Sequence, residues 1–169
     1  MVTRCFWETD FALDIARDDS RWLTSGAGYA RGNYNYRTEA VAVNFVGTAL
    51  RDCEGVASGS VCYANGSIPY SIYHDAGFQV RNHVGNIYSA PLNPGRIETA
   101  RGLAAERYIT NPTSGADSAL LSGYMRREMQ GRPIAGNYRI RVWDEPGVMF
   151  DRIEDVQLII DYRYWTRLN

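Results

Sequence analysis

The chain has 169 residues, of which 45% are hydrophobic and 22% charged, with a formal net charge of -1. These values are typical of one globular domain spanning residues 1–169, and they exclude a disordered or fibrous chain. The near-zero charge provides no basic field for nucleic acid, and no apolar run approaches the roughly 20 residues that span a bilayer, so we expect neither nucleic-acid binding nor membrane insertion.

Apolar and polar residues alternate with period two in five segments, the pattern of strands that bury one face. The residues predicted to face inward are, in chain order, Phe11, Leu13 and Ile15; Val41, Val43 and Phe45; Ile68, Tyr70 and Ile72; Tyr138, Ile140 and Val142; and Val156, Leu158, Ile160, Tyr162 and Tyr164. Turn signals rich in Gly, Pro, Asn and Asp separate these segments. The pattern predicts a mainly-β fold of antiparallel strands, a sandwich or barrel rather than a parallel α/β sheet.

One segment has helical periodicity instead. SGADSALLSGYMRREM, residues 114–129, opens with Ser-x-x-Asp, a helix-capping signature. It brings Leu120, Leu121, Tyr124 and Met125 onto neighbouring positions of one helical face, and we predict a short helix here. The preceding RIETARGLAAERYI, residues 96–109, fits a helix or a strand equally well.

Four aromatic residues, Trp22, Tyr29, Tyr34 and Tyr36, lie in one long, Gly-rich, polar connection. Exposed rings in such a loop stack on sugar faces or anchor a protein partner, so we predict these four as ligand-binding residues. The alternative is that the rings close one end of the sandwich.

Two of the three cysteines, Cys53 and Cys62, bracket a loop rich in Gly and Ser. A disulfide between them would close a loop of about ten residues and stabilise it by roughly 2 to 3 kcal/mol in an oxidising compartment. The alternative is two reduced cysteines that act as small residues at strand ends.

Acidic residues concentrate in WDEPGVMFDRIEDVQLIIDYRYW, residues 143–165. An EF-hand beginning at Asp144 fails because the third and fifth positions are Pro146 and Val148. A looser calcium site built from Asp144, Asp151 or Asp155 with backbone carbonyls is the only cofactor we consider, against turn and strand-edge roles for the same carboxylates. EDTA would lower the melting temperature if calcium stabilised the fold.

No complete catalytic constellation is visible, so we do not expect an enzyme. A glycosidase needs two carboxylates about 5 to 10 Å apart, whereas Asp155 and Asp161 on one strand lie roughly 20 Å apart. A carbohydrate-active enzyme with carboxylates converging from different strands is the rival hypothesis.

Part of the chain resembles a known class of module. GRPIAGNYRIRVWD resembles the closing half of jelly-roll modules in extracellular bacterial proteins and in the domain that follows the catalytic unit of proprotein convertases. The matching residues are Gly131, Pro133, Gly136, Tyr138, Ile140, Arg141, Val142 and Asp144. The tail, IEDVQLIIDYRYW, is similar to C-terminal β-sandwich regions of very large bacterial proteins of the insecticidal toxin-complex kind.

This resemblance implies a jelly-roll-like or galactose-binding-like β-sandwich of about eight strands, with no catalytic residue. We therefore expect a non-catalytic binding or adhesion module for a carbohydrate or a protein surface. A final strand without a tail favours the C-terminal domain of a larger secreted, toxin-like bacterial protein. A self-assembling or interdomain structural module is the alternative, since all 18 basic residues are arginine and 12 residues are tyrosine, side chains that pack well against neighbours.

Overall fold

Antiparallel strands dominate the structure. The computed structural model of the chain describes residues 5–13, 33–48, 50, 68–91, 98–104 and 109–166, with the backbone alone at 75–78, 90, 91, 98 and 99. The strands are β1 (Phe6–Leu13), β2 (Asn33–Gly47), β3 (Pro69–Arg81), β4 (Ile87–Pro91), β5 (Glu98–Leu103), β6 (Ala135–Trp143) and β7 (Ile153–Thr166). In these residues one α-helix, α1 (Gly115–Ser122), and a 3-10 turn at Phe150–Arg152 accompany them.

Five of the described strands form the larger of the two sheets seen in the described part of the chain. Its order is β1-β6-β3, and the far edge of β3 pairs with β5 along its first half and with β4 along its second. A tight hairpin joins β3 to β4, where the side-chain oxygen of Asn82 accepts hydrogen bonds from the backbone N–H groups of Val84 and Asn86. Gly85 has a φ of 93° in this turn, a conformation that glycine adopts without strain.

The smaller sheet pairs the two longest strands, β2 and β7. The second edge of β2 is occupied by residues 126–134. Val41 exchanges two backbone hydrogen bonds with Arg126, and Thr38 bonds with Gly131 and Arg132. Because this segment continues directly into β6, one stretch of chain crosses from the small sheet to the large one and fixes their relative position.

The two sheets face each other across a hydrophobic core. Val41 and Val43 of β2, Ile72 of β3 and Val142 of β6 have no exposed surface. Burial of such a side chain stabilises the fold by about 1.5 to 3 kcal/mol. The inward faces predicted for these three strands are correct, and the predicted fold class, a mainly-β antiparallel sandwich with one short helix, is confirmed.

The inward face predicted for β7 is correct for its first half. Val156, Leu158 and Ile160 pack against the core, but Tyr164 is 41% exposed. At this position β7 has passed the end of the core, so the ring packs on Tyr36 instead.

Helix α1 is shorter than the predicted segment, and the predicted cap does not form. Ser114 occupies the N-cap position without a side-chain capping bond. Asp117 turns away from it, and its Oδ2 accepts hydrogen bonds from the N–H and the hydroxyl of Thr110 and from the N–H of Asn111. The carboxylate therefore fixes the loop before the helix rather than the helix end.

The apolar side of the α1 segment covers the outer face of the small sheet, where a second cluster of apolar side chains forms. Its members are Leu120, Leu121, Tyr124, Met125, Ala42, Ile109 and Ile159. The ambiguous segment before it contributes β5, so the strand interpretation is correct there. Among the described residues, no helix has the length and apolar character needed to cross a membrane.

Candidate functional site

The outer face of the large sheet carries an ordered group of aromatic and charged side chains. On β1 and β6 every second residue faces the core, so the residues between them face outward. We call this group the aromatic-arginine face; it consists of Phe6, Glu8, Asp10, Tyr73, Arg139, Arg141 and Trp143.

Strand register places complementary residues opposite one another on this face. Phe6 pairs with Trp143, Glu8 with Arg141 and Asp10 with Arg139. The rings of Phe6 and Trp143 meet edge to face at 5.5 Å between centroids. Cross-strand pairs of these kinds contribute roughly 0.2 to 1 kcal/mol each, so the face also helps to hold β1 onto β6.

Arg141 is the centre of the face. Its Nη2 lies 2.7 Å from Glu8 Oε2, and its Nε donates to the same oxygen at 2.7 Å. Its guanidinium carbon lies 4.1 Å from the ring centroid of Phe6, 5.3 Å from that of Tyr73 and 5.4 Å from that of Trp143. A cation held by a carboxylate and three rings has little freedom to reorient.

Arg139 extends this network towards solvent. Its Nε lies 2.8 Å from Asp10 Oδ1 and 3.3 Å from Glu8 Oε1, so Glu8 joins both arginines. Asp10 and Phe6 are the most exposed members of the pairs described here. The result is a surface with an exposed ring at one end and exposed hydrogen-bonding groups further along, all held in position by the sheet.

The predicted ligand-binding aromatics lie elsewhere. Trp22 and Tyr29 fall outside the described residues. Tyr34 and Tyr36 begin β2, near the end of the sandwich opposite to Phe6 and Trp143. The ring of Tyr34 meets His83 of the β3-β4 hairpin edge to face at 6.2 Å between centroids. Whether Tyr34 contacts a ligand stays a prediction.

Tyr36 is only 3% exposed, so it offers little surface to a ligand. Its ring centroid lies 6.1 Å from that of Tyr162 and 5.7 Å from that of Tyr164. Burial is the main cause that raises the pKa of Tyr36 to about 12, against the opposing effect of the Arg81 guanidinium. Tyr36 packs as one of the rings that close this end, which was the alternative considered for it.

Exposed apolar side chains cluster at the same end. We call this cluster the hairpin end; it consists of Val84, Ile87 and Tyr88 on the hairpin, and Tyr164 and Trp165 at the end of β7. Tyr34 connects the two groups, because it contacts His83 and pairs with Trp165 in the β2-β7 register.

The three carboxylates predicted to bind calcium occupy turn and strand-edge positions. Asp144 extends the β1-β6 pairing, because its N–H donates to the carbonyl of Cys5 at 2.9 Å. Asp151 lies in the 3-10 turn, and Asp155 accepts a hydrogen bond from the N–H of Val156 at 2.7 Å.

Within residues 5–13, 33–48, 50, 68–91, 98–104 and 109–166, no three His, Cys, Asp or Glu side chains form a group that could hold a metal. Asp144, Asp151 and Asp155 are therefore not brought together, and calcium binding stays a prediction. Cys53 and Cys62 lie outside the described residues, so the predicted disulfide is untested, while Cys5 is free and exposed.

Sequence reasoning missed the aromatic-arginine face. The signal that could have found it is the set of residues on the outward side of two strand segments. In FWETD these are Phe6, Glu8 and Asp10, and in RIRVW they are Arg139 and Arg141. These segments carry opposite charges at matching spacing, but they are about 130 positions apart, and nothing local indicates that the two strands pair.

Known proteins offer no guide to the function of this surface. The chain matches no protein family, no curated protein and no solved structure. The resemblance to jelly-roll modules therefore rests on the sequence of residues 131–144 and of the tail, residues 153–165. Residues 131–134 end the crossing between the two sheets, with Gly131 at a φ of 83°, and the following residues form β6.

Proposed function

We propose that the chain is a non-catalytic carbohydrate-binding module, and that the aromatic-arginine face is its contact surface. The observation that carries this proposal is the position of the Arg141 guanidinium, fixed by Glu8 among the rings of Phe6, Tyr73 and Trp143. The resemblance of residues 131–144 to modules of extracellular bacterial proteins supports a place in a larger secreted protein.

The chemistry of a sugar ring matches this surface. One face of the ring presents C–H groups that pack on an aromatic side chain, and its rim presents hydroxyls that both donate and accept hydrogen bonds. Phe6, which is 46% exposed, offers the ring, while Arg139 and Asp10 offer a donor and an acceptor on the same face, roughly 13 Å further along β1. Because the ion pairs fix these groups before binding, little conformational entropy is lost when a ligand arrives.

The ion-pair partners of Glu8 and Asp10 support a binding role without catalysis. A glycosidase acid must donate a proton to the glycosidic oxygen from one side of a cleft. Glu8 and Asp10 both lie on the outer face of the large sheet, and both are bound by the guanidinium of Arg139. They are placed to accept hydrogen bonds from arginine and from sugar hydroxyls.

A glycan array followed by titration calorimetry tests the proposal. Phe6→Ala removes the exposed ring and Arg141→Lys removes the planar fork, and we expect each to weaken binding at least tenfold. Tyr88→Ala at the hairpin end is the matched control, since Tyr88 is 57% exposed and distant from this face. Thermal melts of each variant establish that the fold is retained.

Two results would overturn the proposal. The first is an array on which the wild-type chain binds no glycan. The second is binding that Tyr34→Ala or Trp22→Ala abolishes while Phe6→Ala leaves it unchanged, because the ligand would then bind at the predicted aromatic residues and not on the aromatic-arginine face.

A self-assembling or interdomain structural module is the second candidate, and the hairpin end favours it. Exposed Val84, Ile87 and Tyr88 are the kind of apolar side chains that become buried between protein surfaces. Light scattering over a hundredfold range of concentration distinguishes the two candidates. A constant monomer mass excludes self-assembly, and growth that Tyr88→Ala abolishes supports it.

A further inference from the structure

A slot opens between the two sheets along the edge where β1 and β7 approach each other. Its volume is about 380 Å³. We call it the edge slot; its lining consists of Trp7, Thr9, Phe11, Ile140, Ile153, Glu154, Asp155, Val156 and Leu158. It uses the inward side of β1, whereas the aromatic-arginine face uses the outward side of the same strand.

Among the described residues, the core is incomplete at this edge. Trp7, Phe11 and Leu13 of β1 are only partly buried, whereas Ile72 and Val142 on the neighbouring strands of the large sheet have no exposed surface. The reason is the width of the two layers. In the small sheet, β2 lies over β3 and β5 of the large sheet, and β7 lies beside β2. The described residues contain no further strand of the small sheet that could cover β1.

The slot also lies between two strand edges that no other described strand pairs with. Among the described strands, β1 pairs only with β6, and β7 pairs only with β2. The free edge of a strand presents backbone N–H and C=O groups that can pair with another extended chain. An apolar slot beside such an edge can receive the side chains of an added strand while the edge bonds to its backbone.

The charges at the slot are of one sign. Glu154 and Asp155 are its only charged lining residues, and both are exposed. A strand with arginine or lysine near these carboxylates is therefore favoured over an acidic strand.

We propose that the edge slot binds an extended basic segment of a partner protein, which adds a strand to the small sheet beside β7. Alternate side chains of this segment are apolar and enter the slot about 7 Å apart. Its basic side chains meet Glu154 and Asp155. The segment would cover Trp7 and Phe11 and so complete the sandwich over β1.

A displayed library of nine-residue peptides, with random apolar residues alternating with random polar residues, is the probe. Peptides selected on the full chain are expected to be enriched in arginine and lysine and to slow hydrogen exchange at backbone amides of β7. Charge reversal at the slot, Glu154→Arg with Asp155→Arg, changes two exposed residues and should weaken the selected peptides at least tenfold. Asp161→Arg, on the same strand but outside the slot, is the matched control and should leave their affinity unchanged.

Several outcomes overturn the proposal. They are a selection that yields no binder, binders without basic enrichment, and protection away from β7. A chain that dimerises through β7 without peptide would identify a second copy as the occupant instead. Phe6→Ala separates this site from the proposed carbohydrate site, because it should reduce glycan binding and leave peptide binding intact.

Discussion

Alkaline pH should destabilise the fold through its buried tyrosines. Tyr70 is 2% exposed, and its burial, which outweighs the opposing effect of the Arg126 guanidinium, raises its pKa to about 12. In the unfolded chain the phenol ionises near its ordinary value of 10. A group with a raised folded-state pKa contributes stability that is complete below the unfolded value and is lost as the pH rises through the folded value. The relevant window is therefore pH 10 to 12.

The size of the effect follows from the two pKa values. For Tyr70 alone, the free energy of unfolding falls by about 1 kcal/mol at pH 11 and by about 2 kcal/mol at pH 12. Tyr36, whose pKa is also about 12, adds to this loss, and burial raises the pKa of Tyr138 as well. The chain contains no lysine, so tyrosine ionisation is not obscured by ammonium groups.

Urea denaturation at pH 8 and pH 11, with tyrosinate absorbance recorded in parallel, measures the effect. Tyr70→Phe removes the ionising group, so its loss of stability between the two pH values should be about 1 kcal/mol smaller than that of the wild type. Tyr88→Phe removes an exposed phenol and should keep the wild-type loss. If Tyr70→Phe loses as much stability as the wild type, burial of this phenol does not control the alkaline transition.

Two further predictions concern the loop before α1 and the end of β2. Asp117→Ala removes the acceptor of three hydrogen bonds, so it should lower the free energy of unfolding, measured by urea titration, by about 2 to 3 kcal/mol. Ser114→Ala is its control. Because Ser114 makes no capping bond, this variant should change the same free energy by less than about 0.5 kcal/mol. Gly47→Ala should lower the melting temperature by several degrees, because the new Cβ would overlap the backbone carbonyl of Arg152. Gly123→Ala is the matched control, because its φ of -73° suits alanine and its new Cβ would lie 3.5 Å from the nearest atom. Equal destabilisation of both variants would show that the overlap with Arg152 is not the cause.

Local periodicity was sufficient to predict the strand faces. Val41, Val43, Ile72 and Val142 were assigned inward from alternation alone, and all four are fully buried. Side chains on a strand alternate between the two faces of the sheet, so the sequence specifies the inward set wherever one face is buried. Alternation does not indicate where a strand passes the end of the core, and this explains the exposed Tyr164 on β7.

Helix signals were less reliable because they depend on competing partners. The Ser-x-x-Asp signature before α1 predicts a cap, but the carboxylate of Asp117 accepts hydrogen bonds from Thr110 and Asn111 instead. These donors lie in a loop that contacts the small sheet through Ile109, whose backbone is held by the side chain of Gln157. Tertiary contacts therefore decided which hydrogen bond this side chain makes.

The sequence by itself determined the strand faces, the antiparallel fold class and the short helix α1, because each depends on patterns within about fifteen residues. Only the tertiary structure decided the partners of those strands. Pairing of β1 with β6 assembled the aromatic-arginine face, and the small sheet, narrower than the large one among the described strands, left the edge slot beside β7. Both surfaces depend on contacts between residues more than a hundred positions apart, such as Asp10 with Arg139, and short-range alternation carries no information about which distant strands meet.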